Sequence, residues 1–227
     1  MDNIIAFIPC RSLSKSIKDK NIKELGDKPL ITWSIEVGLK AGLRTIVNSD
    51  SQEYLDIAKK WDAETMLRPE ELGRDNVSMF EVLESEVFKI EPVPELVVLL
   101  QPTTPFRSIT KIKMGIDYLL NNSEYDSLII AERVPDKYAP EQVIISTPTG
   151  LQMANGRPIP QRITIRQQHK ESWIPSGTYI FKTSNLKEGS LYGEKTMIME
   201  TEGTININSE KDWEEAVKYY NKKYGRN

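Results

Sequence analysis

Between residues 9 and 21 the chain gathers Pro9, Cys10, Arg11, Ser14, Lys15, Lys20 and Asn21, with Ser12, Ser16 and Lys18 interspersed. Arginine offers a planar fork of donors, lysine a mobile point charge, and serine hydroxyls with loop amides add short-range donors. That mixture suits the oxygens of a polyphosphate. The cluster follows Ile4-Ile5-Ala6-Phe7-Ile8, an apolar run with the length and β-branching of a buried strand, which Pro9 ends. A cationic loop at the carboxyl end of a first strand is where α/β proteins hold anions. Neither GxxxxGK[ST] nor GxGxxG is present, because no glycine occurs before Gly26, so these residues point to a polyphosphate without choosing the nucleotide.

The elements that must position this loop follow in a regular order. Pro29 to Ala41 reads as an amphipathic helix, Arg44 to Asp50 as a strand, Ser51 to Trp61 as a helix and Glu64 to Leu67 as a short strand. A polar loop through Asn76 leads to a helix from about Val77 to Ile90. Leu96 to Leu100, LVVLL, is the clearest central strand, a continuous apolar run of the kind parallel sheets use. It empties into Gln101-Pro102-Thr103-Thr104. A helix from roughly Ile109 to Leu120 and a strand from Ser127 to Ala131 complete the alternation. Each parallel pair needs a crossover, so this order predicts an α/β fold with a doubly wound, mostly parallel sheet. From Val134 to Arg166 five prolines and short apolar runs such as Val143-Ile144-Ile145 break the pattern and predict a small inserted β-rich lobe. Gly177 to Phe181 and Lys195 to Met199 read as strands, and Ser209 to Tyr224 as a closing helix capped by Ser209. The whole chain, 1–227, reads as a single domain with a lobe at about 134–170.

Composition narrows the chemistry. A net charge of -3 gives no global reason for binding nucleic acid or a membrane, so the basic first loop reads as a local site for a small anion. No run approaches the roughly 20 apolar residues of a membrane span, and the amino terminus has no secretory pattern, so the expected location is the cytoplasm. The single cysteine, Cys10, excludes an intramolecular disulfide and reads as a small buried thiol. The single histidine, His169, removes paired-histidine metal sites and Ser-His-Asp catalysis, and reads as an exposed loop residue.

IPCRSLSKSIKDKNIKELGDKPLITWSIE resembles the amino-terminal signature of the CMP-sialic acid synthetases (acylneuraminate cytidylyltransferases), written with Ala-Arg-Gly-Gly-Ser-Lys-Gly-Ile and, after a gap, Lys-Asn. Asn48-Ser49-Asp50-Ser51 is similar to the family's Ser-Thr-Asp-Ser turn, Leu67 to Leu72 to its Arg-Pro-x-x-Leu element, and Leu99 to Arg107 to its LLQPTSPLR block. Arg166-Gln167-Gln168, Gly177 and Ile205 to Asp212 occupy the places of the later motifs. The resemblance implies a Rossmann-like nucleotidyltransferase that takes CTP and uses Mg²⁺. By it, Arg11, Ser14, Lys15 and Lys20 hold the triphosphate, with Arg11 and Lys20 catalytic in stabilising its charge. Asn21 touches the nucleoside, while Pro9, Cys10, Arg68 and Ser78 surround the cytosine. Gln101, Thr103, Thr104, Arg166, Gln168 and Ser176 face the acceptor, and a homodimer forms through the lobe.

The departures from the family pattern carry their own expectations. Ser12-Leu13 stands for Gly-Gly and Ser16 for a glycine, which stiffens the loop. Ile174 stands where sialate enzymes carry an arginine, and Ser176 to Ile180 replaces Asn-Gly-Ala-Ile-Tyr. Asn206-Ile207-Asn208 replaces the Asp-x-Asp that supplies carboxylates to magnesium. Three arrangements follow: a metal held by the triphosphate, with Asn206 and Asn208 orienting its waters; a metal recruited by another carboxylate such as Asp50; or nucleotide binding without efficient turnover. The leading expectation is transfer of CMP from CTP to an acidic 2-keto sugar of the sialic or nonulosonic class, with release of pyrophosphate. The alternatives are a nucleotidyltransferase for a sugar 1-phosphate or phosphonate, and a non-catalytic nucleotide-binding relative.

Overall fold

The computed structural model describes residues 3–225 apart from 13 and 164, and leaves the side chain of Arg166 undescribed. Apart from a short hairpin that the sequence does not predict, its first part alternates as expected: β1 (Ile4–Pro9), the hairpin of β2 (Glu24–Leu25) and β3 (Lys28–Pro29), α1 (Leu30–Lys40), β4 (Arg44–Ser49), α2 (Gln52–Lys60), β5 (Glu64–Leu67), α3 (Met79–Glu86), β6 (Leu96–Leu100), α4 (Ile109–Asn121) and β7 (Ser127–Arg133). The hairpin of β8 (Ile144–Thr147) and β9 (Gly150–Met153) follows, then β10 (Trp173–Lys182), α5 (Ser184–Lys187), β11 (Thr196–Glu200) and α6 (Glu210–Tyr224). The third helix is shorter than its apolar pattern suggests, because Ser78 caps it with a reciprocal Glu81 box and a 3₁₀ turn over Val87–Lys89 ends it.

The main sheet has seven strands in the order β11-β7-β10-β6-β1-β4-β5. All run in one direction except β10, which is antiparallel to both β6 and β7. The Gly177 to Phe181 run thus lies inside a ten-residue strand, wedged between two parallel neighbours, a placement that its local pattern does not reveal. The continuous apolar runs are explained by burial on both faces. In β1, Ile4, Ala6 and Ile8 enter one core with α1, α2 and α4, while Ile5 and Phe7 enter another beneath α3 and α5; β6 divides in the same way.

A third cluster positions the site. Trp213 and Ala216 of α6 pack with Ile17 from the first loop, Leu25, Leu30, Phe106, and Ile205 and Ile207 from the segment before α6. Residues 201–208 form neither helix nor strand, and Gly203 among them lies at φ +66°. Ile205 and Ile207 turn inward while Asn206 and Asn208 are exposed, the period-two alternation of an extended chain. The last segment is thereby brought over the carboxyl ends of β1 and β6.

Candidate functional site

At that edge a cavity of about 490 Å³ opens between the loops after β1, β5 and β6 and the segment before α6. Pro9, Arg11, Ser14, Lys15, Lys20, Asn21, Arg68, Gln101, Thr103, Asn206 and Asn208 all line it. Lys20 is almost buried, and its Nζ donates to the Ile207 carbonyl at 2.8 Å. Ile207 N in turn donates to Thr103 O at 2.8 Å. Asn21 Nδ2 donates to the Arg11 carbonyl at 2.9 Å, which fixes the start of the loop. Burial first, and Arg11 second, pull the Lys20 pKa below the ordinary lysine value, with Asp212 opposing.

Arg68 is 4% exposed. Its nearest acid is Asp50 at 3.9 Å, its Nη1 reaches Asn48 Oδ1 only at 3.5 Å, and its Nε has no partner among the described residues. Burial lowers its basicity, and Asp50 acts in the opposite sense. A buried guanidinium so thinly partnered is poised for an acceptor atom in the cavity. Asp50 is committed elsewhere: it accepts from Ser12 N at 2.8 Å and Ser12 Oγ at 3.0 Å, and Gly73 packs so closely that any Cβ there would strike its carboxylate. The serine that stands for a family glycine therefore ties the loop to Asp50. Leu13, its neighbour in that departure, lies outside the described residues.

Several expected site residues lie elsewhere. Cys10 is fully buried beneath the loop, its thiol pushed up mainly by burial, so it neither lines the cavity nor offers a thiolate. Ser78 is an exposed helix cap, its Oγ accepting from Glu81 N. Thr104 is buried behind the turn, with Oγ1 lacking a partner among the described residues. Ser176 Oγ donates to the Ile130 carbonyl at 2.7 Å inside the sheet. Gln168 is exposed on the lobe and does not line the cavity, and the side chain of Arg166 lies outside the described residues. His169 is half-buried rather than exposed, with Nε2 3.0 Å from Gln142 Nε2.

The structure also adds residues. Arg74 and Asp75, from the loop before α3, line the same cavity. Asp75 pairs with both Arg11 Nη1 at 2.8 Å and Lys15 Nζ at 2.6 Å. Lys15 first and Arg11 next hold its carboxyl below the usual range. An exposed aspartate in a polar loop carries no local signal for such a role. Among the described lining residues, the cations Arg11, Lys15, Lys20, Arg68 and Arg74 face one carboxylate, Asp75. A cavity this positive, in a chain of net charge -3, is built for an anion of several charges. No group of three or more His, Cys, Asp or Glu among the described residues could hold a metal ion. Asp50 is enclosed and Asp75 is paired with Arg11 and Lys15, so the other side-chain oxygens toward the cavity are those of amides and hydroxyls, a set suited to an ion that arrives with its own anionic ligands.

Over residues 5–223 the sequence matches the family described as Cytidylyltransferase. The chain belongs to this family. It is 32% identical to the N-acylneuraminate cytidylyltransferase of Escherichia coli over 97% of the chain and 52% of that protein. It thus spans about half the length of that relative. It is 26% identical to the post-translational flagellin modification protein B of Campylobacter coli, covering 94% of the chain and 93% of that protein. A solved CMP:2-keto-3-deoxy-manno-octonic acid synthetase complexed with CTP has the same fold, with a TM-score of 0.74, 14% identity and coverage of 96% and 98%. In this family member, then, the α/β sheet expected from the sequence is present, and the cations of the first loop meet Arg68 and Gln101 in one cavity.

Two outcomes follow from the charges. Asp75→Asn frees Arg11 and Lys15, so affinity for inorganic tripolyphosphate rises about two- to fivefold by calorimetry, the modest gain expected of exposed ion pairs; unchanged or weaker binding would count against it. A bound polyanion also restores the lowered Lys20 pKa. Tripolyphosphate binding therefore takes up protons on the alkaline side, between the free and bound values, and affinity falls as pH rises through that window. Titrations in buffers of different ionisation enthalpy read the uptake, and Lys20→Met abolishes it.

Proposed function

We propose that this cytidylyltransferase moves CMP from CTP to an acidic 2-keto sugar of the sialic or nonulosonic class and releases pyrophosphate. The observation that carries this reading is the cavity's excess of cations, placed at the carboxyl ends of β1, β5 and β6. Support for the acceptor class comes from the N-acylneuraminate and CMP-N,N'-diacetyllegionaminic acid names of relatives. Arg11, Ser14, Lys15 and Lys20 hold the triphosphate, and Pro9, Asn21 and Arg68 face the nucleoside. Gln101 and Thr103 stand at the acceptor end. The sugar's anomeric hydroxyl oxygen attacks the α-phosphorus, the bond to the bridging β-phosphate oxygen breaks, and the hydroxyl proton passes to solvent. Arg11 and Lys20 stabilise charge on the phosphate oxygens as that bond breaks. Magnesium, entering with the triphosphate, would neutralise the leaving phosphates, and Asn206 and Asn208 would orient its waters.

A second reading, nucleotide binding without efficient turnover, is favoured by those two amides standing where the family has aspartates. Purified protein with CTP, Mg²⁺ and a panel of 2-keto sugar acids separates the two. Pyrophosphate release supports transfer. Tight CTP binding without release, and turnover raised by Asn206→Asp with Asn208→Asp, supports the second.

The lobe at about 134–170 serves as a homodimer interface. It and the adjoining start of β10 expose Tyr138, Ile144, Leu151, Ile159, Ile165 and Ile174, a density of apolar side chains that a monomer rarely leaves to water. Sedimentation velocity should give a dimer, and Leu151→Glu should shift it to monomer; a wild-type monomer at micromolar concentration would end this assignment. A cytoplasmic location fits the chemistry of CTP, and no helix among the described residues is long and apolar enough to cross a membrane.

A further inference from the structure

Arg107 lies behind the cavity rather than in its wall, and nothing in the transfer chemistry above uses it. Its Nε donates to Thr178 Oγ1 at 2.9 Å and its Nη1 to Ser34 Oγ at 2.9 Å. Its Nη2 donates to the Gly177 carbonyl at 3.1 Å and to the Gln101 carbonyl. One guanidinium thus joins the turn after β6, the irregular part of β10 and the helix α1. Among the described residues no carboxylate pairs with it. Burial alone brings its pKa down to about 9, which leaves it charged at neutral pH.

Arg107 is half-buried with no counter-ion among the described residues, which costs desolvation, and a fastener needed only for packing would be better apolar. What the charge supplies here is direction. The β10 register shifts between Pro175 and Thr178, and Gly177 sits at φ +67°, with Thr104 Oγ1 and Gln101 close to where a Cβ would project. Gln101 N also donates to the Gly177 carbonyl at 3.0 Å. Gln101 and Thr103 line the cavity from this turn, and the Thr103 carbonyl accepts from Ile207 N between Asn206 and Asn208. The spacing of the turn from β10 therefore sets the spacing of groups that face the ligand.

We propose that Arg107 is a positioning residue for the acceptor. It clamps the Gln101 to Thr104 turn against Gly177 and Thr178, so that Gln101 and Thr103 hold the attacking sugar in line with the α-phosphate; this rests on the transfer reading above. A lysine keeps the charge but has its three donors on one nitrogen, which cannot span the four acceptors that the three nitrogens of the guanidinium reach.

Arg107→Gln and Arg107→Lys test it by two readouts. In hydrogen exchange, residues 101–104 and 176–178 lose protection in the variants while β1 and β4 keep theirs. In steady-state kinetics with CTP and the sugar acid most active with the wild type, the KM for the acid rises about tenfold or more, with kcat and the CTP Kd little changed. Arg107→Lys stays nearer to Arg107→Gln than to wild type. Unchanged exchange, or a joint fall of Tm, kcat and CTP affinity without a selective rise in KM, would overturn the proposal. If the wild type binds CTP but turns over no acid, the transfer reading fails while the exchange result still decides the clamp. If Arg107→Gln does not fold, Arg107→Lys carries both readouts.

Discussion

Much of this architecture depends on one nearly buried ammonium. Lys20 finds its partner in the carbonyl of Ile207, 187 residues away, and burying it without such an acceptor would be prohibitive. The same peptide segment donates to Thr103, so the first loop, the turn after the central strand and the segment before α6 meet around a single backbone unit. Apolar packing of Ile17, Ile207 and Trp213 lies under that junction. Because the partner is a neutral carbonyl, the charge of Lys20 is held in place without being cancelled, and it adds to the field of the cavity.

The rest of the site follows the same logic of holding cations close without neutralising them. Arg68 is enclosed near Asp50, yet Asp50 is mostly occupied by Ser12. That pairing shows what the serine adds at this position: its amide and hydroxyl anchor the loop to Asp50. At the solvent side cations are matched more closely, where Asp75 bridges Arg11 and Lys15. An exposed pair of that kind exchanges readily for a stronger anion, so the free site keeps its cations gathered while leaving them available.

The enclosed side and the solvent side also differ in what they ask of the chain. The turn from Gln101 to Arg107 is held by the Arg107 guanidinium and by β10, a rigid frame. The lobe between β7 and β10 is a hairpin with short 3₁₀ turns, and it presents apolar side chains outward. A rigid turn at the cavity and an apolar outer surface are thus built by adjacent segments with opposite burial patterns.

Local pattern by itself determined the strands read at Ile4 to Ile8 and Leu96 to Leu100, since burial on both faces demands an uninterrupted apolar run, and it determined the cationic loop that follows the first of them. The resemblance to the cytidylyltransferase motifs also marked Arg68, Gln101, Asn206 and Asn208 as partners of that loop. Only the tertiary structure decided that β10 enters antiparallel between β6 and β7, that Arg74 and Asp75 join the cavity, and that Cys10, Ser78, Thr104 and Ser176 stay out of it. The physical reason is range. Periodicity records whether a residue is buried, because neighbours along the chain share a face. Which distant surface it meets depends on packing between segments up to 187 residues apart, and that leaves no imprint on local sequence.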